Sequence, residues 1–404
     1  MTLTINSRRT AHFHASDLHA LARVITDATT GIVDLVEDVH MRMAPRRLLG
    51  PAGKIAPFTY QTIRGAARLI GGGATISLAQ IGELLEQRED SPQRQTVLSI
   101  LNGLWGDYLH ETNSPLALPM SFTFGEGAPR GKIAVLVHGL CMNDSGWQRS
   151  GEKGPSAHAG TSVISGVHDH GAALARDLDY SPVYLNYNSG LHISSNGRAL
   201  AIMLEALVDV WPVPVEELVI IGHSMGGLVT RSACYYGETA GHAWLDPLRA
   251  TIFLGTPHHG VPLERQGNLL NMLIDSMPFV APFGRLGRRR SAGITDLRYS
   301  NLVDEDWAGR DRFAQGPDRR CHVPPPAGVR AYAVAAALGN RADSAAARLL
   351  GDGLVPLDSA LGRHPSADRC LGFDDSNSWI GYGMNHADLL GRAEVYERMA
   401  NWLA

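Results

Sequence analysis

The sequence predicts an α/β fold, a mostly parallel sheet with helices on both faces, preceded by an all-helical module. From about residue 118 onward, short apolar runs rich in β-branched residues alternate with helical patterns. That alternation implies parallel strands joined by crossover helices. One run, Leu218-Val219-Ile220-Ile221, passes straight into Gly222-His223-Ser224-Met225-Gly226 and then a helical pattern at Leu228, Val229, Ser232, Ala233 and Tyr236. This reads as a buried strand, a turn too tight for ordinary side chains, and a helix. The conspicuous motifs, His138-Gly139-Leu140, the Ser224 turn, Gly255-Thr256-Pro257 and Gly351-Asp352-Gly353, all follow such runs. Function gathers at the carboxyl ends of strands in sheets of this kind.

Composition sets outer bounds. The chain has 404 residues, 44% hydrophobic and 19% charged, with a formal net charge of −4. This is ample core material for one large α/β domain and an additional module. The charge balance gives no support for a nucleic-acid partner. The N-terminus lacks the apolar core of a signal peptide, and Arg8-Arg9 is not followed by one. No apolar run is long enough for a transmembrane helix. A cytoplasmic protein without a transmembrane segment is the expectation. Of the four cysteines, Cys141, Cys234, Cys321 and Cys370, Cys234 reads as a core filler in the helix after Ser224. Whether Cys321 and Cys370 pair is left open by the sequence.

Residues 1–112 read as the helical N-terminal module. Leu18, Leu21, Ile25, Ala28, Ile32, Leu35 and Val39 form an a/d seam within 16–43, which suits an amphipathic helix and offers a homodimer interface. Further helices are expected over 57–87, interrupted at Gly71-Gly72-Gly73, because glycine costs about 1 kcal/mol in a helix. Ser91-Pro92 is an N-cap followed by proline at N1, and Val97, Ile100, Leu101, Leu104 and Tyr108 continue that helix.

Residues 113–404 read as the catalytic domain. Strands are expected at 118–124, 132–137, 183–187, 218–221, 250–254, 329–336 and 369–373. Between 260 and 327 the alternation lapses, with an apolar piece at 269–280 and the run Arg288-Arg289-Arg290. A long insertion between core strands suggests a lid, and the arginines suggest a solvated surface.

In the Ser224 turn, Gly222 and Gly226 stand where a Cβ would strike the neighbouring helix or strand, and the serine sits at a helix N-terminus. A serine hydroxyl needs a base to take its proton, and the base needs a partner to fix its tautomer. For a serine so placed the chain order is serine, acid, histidine. His386, in Gly383-Met384-Asn385-His386, follows the last expected strand. Asp352 lies between two glycines after the strand at 329–336, and Asp374 and Asp375 are its rivals. The oxyanion of acyl transfer needs donors, for which the backbone N–H groups of Met225 and Leu140 are placed, with His138 bracing the loop. His258-His259 and His168-Asp169-His170 lack helical zinc-ligand spacing, so local loop hydrogen bonding is expected there and no metal.

Taken together, these motifs resemble the α/β-hydrolase superfamily, and within it the bacterial lipase/esterase-like hydrolases of the PGAP1-like group. The stretch Tyr187-Asn188-Ser189-Gly190-Leu191-His192 through Arg198 is similar as well. The likeness spans about 118–404. It implies carboxylic-ester hydrolysis by Ser224, Asp352 and His386 without a cofactor, on a small-molecule or lipid-like ester. Thioesterase, amidase or acyltransferase chemistry would use the same residues. A chain whose helical module makes it chiefly an interaction protein is the competing reading.

Overall fold

The computed structural model describes residues 10–11, 89–90, 92–150, 167–261, 290–314, 316–339 and 351–404. The seam at 16–43, the helices expected over 57–87, the piece at 269–280 and Arg288-Arg289 lie outside the described residues.

Seven strands form one sheet: β1 (Ser121–Phe124), β2 (Lys132–Val137), β3 (Tyr180–Asn186), β4 (Glu217–His223), β5 (Leu248–Leu254), β6 (Arg330–Ala337) and β7 (Ser378–Tyr382). Their spatial order is β7-β6-β5-β4-β2-β3-β1. Every neighbouring pair is parallel except β1 with β3. The helices are α1 (Pro92–Glu111), α2 (His170–Asp177), α3 (Ile193–Val210), α4 (Met225–Ala240), α5 (Ala292–Asp296), α6 (Leu357–Ala360) and α7 (Ala393–Leu403). Thr10–Ala11 pairs in parallel with Glu89–Asp90, a short strand contact within the stretch that the sequence reads as helical.

The alternation of side chains along each strand divides the core into two layers. Ile133, Val135 and Val137 of β2 and Leu218 and Ile220 of β4 face one layer, shared with α1, α3 and α4. Ala134, Leu136, Val219 and Ile221 face the other, with Leu174 of α2 and Val395, Met399 and Leu403 of α7. Fully burying one such aliphatic side chain contributes about 1.5–3 kcal/mol, so both faces must be covered. β4 is buried along its whole length and carries Ser224 at its end.

Two features differ from the sequence reading. The last strand is β7, not 369–373. The apolar Cys370-Leu371-Gly372-Phe373 cannot extend, because Gly372 turns at φ +69° and Leu371 N–H donates to Gly362. With one neighbouring strand among the described residues, Ser378–Tyr382 is mostly half-buried and carries only a weak apolar signal. β3 begins earlier than expected, at Tyr180, and includes Pro182, a residue that normally argues against a strand interior. Helix α1 packs onto the sheet. Leu98, Leu101, Leu104 and Leu109 share one apolar cluster with β2, α3 and α4.

The described part of 260–327 is tied to that core too. Ile294, Leu297, Leu302 and Val303 join the cluster of α1 and α3. Ser291 Oγ donates to Gly103 O at 2.6 Å and Ala292 N–H to Asp107 Oδ2 at 3.1 Å. Residues 291–303 thus pack into the core, whereas most of 307–322 is exposed. Cys234 is buried as expected, its thiol pushed up to about 12 by desolvation. Cys321 and Cys370 are free thiols.

Candidate active site

Ser224 sits between β4 and α4 with φ 55° and ψ −125°. A non-glycine residue held there stores roughly 1–3 kcal/mol of backbone strain, so its neighbours must fix it. Ser224 N–H donates to Leu254 O at 2.8 Å, and Ser224 O accepts from Gly227 N–H at 3.1 Å. A Cβ on Gly226 would lie 2.2 Å from Val137 O, and one on Gly222 would lie 2.5 Å from Gly227 Cα. The turn therefore closes against β2 and against its own helix only with glycine at both places.

The loop after β2 lies against the serine. A Cβ on Gly139 would approach Ser224 Cβ to 3.0 Å and His223 Nδ1 to 3.2 Å, so the loop that carries Leu140 runs past the serine. Neither the Leu140 nor the Met225 N–H has a hydrogen-bond partner among the described residues. The rest of this loop is firmly held. His138 stacks on Tyr187 at 4.3 Å, and Tyr187 Oη donates to His138 O at 2.8 Å. Burial pulls the His138 imidazole down to about 4, so it is neutral at pH 7. Cys141 N–H donates to Ser189 Oγ at 3.1 Å. From behind, α1 closes in so tightly that a Cβ on Gly103 would lie 2.3 Å from Cys141 Sγ.

Asp352 and His386 come together although β7 and its loops separate them in sequence. His386 Nδ1 lies 2.6 Å from Asp352 Oδ2, and His386 N–H donates to Asp352 O at 3.1 Å. The other carboxylate oxygen, Oδ1, accepts from Leu354 N–H at 2.9 Å and Val355 N–H at 2.8 Å. Asp352 is 2% exposed and His386 8%. Gly351 and Gly353, at φ +55° and +97°, make the turn that aims the carboxylate inward. The rivals Asp374 and Asp375 are exposed, in the turn before β7.

The serine and the histidine–aspartate pair share one corner of the sheet. His386 O lies 3.2 Å from Nε2 of His223, the residue preceding Ser224, and the two rings are 4.7 Å apart. A Cβ on Gly255 would lie 3.1 Å from His386 Nδ1, and the residue before it, Leu254, accepts the Ser224 N–H bond. Sequence reasoning missed His223, Tyr187 and Ser189 as positioning residues. Tyr187 and Ser189 fall inside the 187–198 stretch singled out above, but nothing in their spacing indicated what they hold.

The other histidine clusters are engaged in hydrogen bonds. His168 Nε2 meets His170 Nδ1 at 2.8 Å, His170 Nε2 meets Leu389 O at 2.9 Å, and Asp169 caps α2. His258 and His259 meet Arg231 and Arg320 at 3.2 and 2.8 Å.

The family model described as a PGAP1-like alpha/beta domain matches residues 128–280. This part of the chain is similar to a PGAP1-like alpha/beta domain. The matched segment contains Leu140, Ser224 and Met225 and ends before Asp352 and His386. Solved structures similar to the chain include the Bacillus licheniformis lipase BlEst2 in mature form, at 18% identity and TM-score 0.43, covering 70% of this chain and 98% of that one. A lipase-esterase related protein from Clostridium acetobutylicum is similar at 12% identity and TM-score 0.39, covering 70% and 98%. A thermophilic esterase from Thermogutta terrifontis is similar at 13% and 0.37, covering 70% and 92%. Curated protein sequences give no match. No described helix is long and apolar enough to cross a membrane.

Proposed function

We infer that the PGAP1-like domain is a serine ester hydrolase acting through Ser224, His386 and Asp352. The observation that carries this reading is the buried His386–Asp352 pair, set at the same sheet corner as a strained serine. With Nδ1–H given to the carboxylate, Nε2 of His386 is left as the acceptor for the Ser224 hydroxyl proton. Ser224 Oγ attacks the substrate carbonyl while His386 takes its proton. The oxyanion is received by the N–H groups of Leu140 and Met225, neither of which has a hydrogen-bond partner among the described residues. His386 then gives the proton to the leaving alkoxide. Water repeats the sequence on the acyl-enzyme and frees the acid.

The substrate is a carboxylic ester, small or lipid-like. Hydrolysis of a panel of p-nitrophenyl esters of increasing chain length tests the reading. Turnover of at least one ester, abolished by His386→Gln, is expected. A purified, folded chain inert across the panel contradicts it.

A further inference from the structure

A second cavity, of about 240 Å³, lies between α4 and the turn that follows β5. Its walls bring Arg231, His258, His259, Arg320, His322 and Arg369 together. Arg231 is 4% exposed and His258 1%. Among the described residues, no acidic side chain is bonded to Arg231. Its Nη1 meets His258 Nδ1 at 3.2 Å, and its Nη2 donates to Val323 O. A guanidinium can only donate, so His258 Nδ1 accepts and the proton of this imidazole sits on Nε2. Among the described residues, both Arg231 Nε and His258 Nε2 are buried donors without a hydrogen-bond partner. Leaving such a group unsatisfied is costly, the more so when it is charged.

We propose that this cavity binds a phosphate group, either free or carried on a small substituent as a phosphate ester. The deficit in the wall is one of acceptors and negative charge, and a phosphate supplies both. Its tetrahedral oxygens suit donors arriving from different walls, here α4, the β5 turn and the 318–323 segment, and arginine clusters favour this group. The acidic side chains nearby do not fill the role. Asp318 is committed to Arg320 and Arg369 at 3.3 and 2.7 Å, and Asp368 stands exposed at the rim.

Burial and the neighbouring Arg320 pull Arg231 down to about 9, which leaves it charged at pH 7. Burial, with Arg231, His259 and Arg320 nearby, holds His258 well below its usual range, so the ring is neutral and keeps the single Nε2 proton. The volume is below the roughly 300–1,000 Å³ of pockets that enclose drug-sized ligands. It suits a headgroup rather than an acyl chain. The cavity also adjoins the active-site corner. His258 and His259 lie three and four residues after Gly255 in the turn after β5, and their N–H groups donate to Ser359 O and Oγ at 3.1 Å on α6, just beyond the Asp352 loop.

The test is thermal unfolding of the full chain in inorganic phosphate against chloride at matched ionic strength. A ligand that binds only the folded state raises Tm, here by about 2 °C at ten times its Kd. His258→Phe keeps a ring against Phe253 and Phe373, which lie 4.9 and 5.4 Å away, and removes the donor. Arg231→Met removes the charge. Loss of the phosphate-specific shift in His258→Phe, or in Arg231→Met where that variant folds, supports the site. No shift beyond chloride in the natural chain, or a shift that survives His258→Phe, overturns it. The readout needs no turnover, so it stands or falls apart from the esterase reading. Where ester turnover is measurable, phosphate that competes with a phosphate-bearing ester but not a neutral one marks a substrate headgroup. Competition with neither marks a free anion in the same site.

Discussion

His386 is joined to Asp352 twice, side chain to side chain at 2.6 Å and backbone N–H to backbone carbonyl at 3.1 Å. The double link fixes both the position of the histidine and the orientation of its ring. Two backbone N–H groups, of Leu354 and Val355, hold the free oxygen of the carboxylate. An asparagine at 352 would present an NH₂ to one of these donors or to the ring.

Asp352→Asn is therefore expected to fold and to lower kcat by about 10⁴, because the imidazole shifts to the wrong tautomer. Asp374→Asn, in an exposed turn, should leave kcat within about twofold. Ester turnover by the two variants checks this. A crippled Asp374→Asn beside a nearly unchanged Asp352→Asn would reverse the assignment.

Gly226→Ala sets a methyl group 2.2 Å from Val137 O and 2.5 Å from His138 O. Backbone must give way, at a cost of about 1–3 kcal/mol or more. The loop that gives way carries Leu140. Denaturant unfolding should show the loss of stability, and turnover should fall with it. An unchanged midpoint would mean that the turn is looser than its contacts imply.

Ile294 lies in the stretch that the sequence reads as a lid, yet it is fully buried beside α1 and α3. Ile294→Ala should cost about 2–5 kcal/mol, the range for emptying a core site. A residue on a movable flap would cost far less. Stability of the variant within about 0.5 kcal/mol of the natural chain would return this segment to the lid.

Acid should unfold the protein early. An unfolded histidine takes up its proton near pH 6.5, whereas folded His138 resists to about 4 and His170 to about 3, both because burial disfavours the charged ring. The unfolded chain thus binds more protons below pH 6.5, so this stability is present above that value and is lost as pH falls through the window. By about pH 5 each residue has given up roughly 2 kcal/mol. The urea midpoint should drop between about pH 7.5 and pH 5. An unchanged midpoint would contradict the neutral, buried state of these rings.

Some of this architecture was legible in the residues, and some was not. β2 and β4 are buried on both faces, so their apolar runs are unbroken and their bounds stand out. The Ser224 turn needs glycine on both sides for steric reasons, and that leaves a mark in sequence. β7 has one neighbouring strand among the described residues, so little selects an apolar run there, and the richer 370–373 piece misled. The packing of α1 into the main core left no local signature either. Its helical period says that one face is buried, not what buries it, and the contacts with Cys141 and Asn188 join residues far apart in the chain. Nor could spacing reveal the Arg231–His258 cavity, since a helix and a strand-end turn meet there only in three dimensions.

The most direct test of the central claim is labelling of the full chain with a fluorophosphonate probe, with the modified residue located by mass spectrometry. One probe per chain on Ser224 is expected, with labelling lost in Ser224→Ala and kcat for esters lowered by about 10⁶ in that variant. Stoichiometric labelling at another serine, or a Ser224→Ala variant that still turns over esters at the natural rate, would contradict the account.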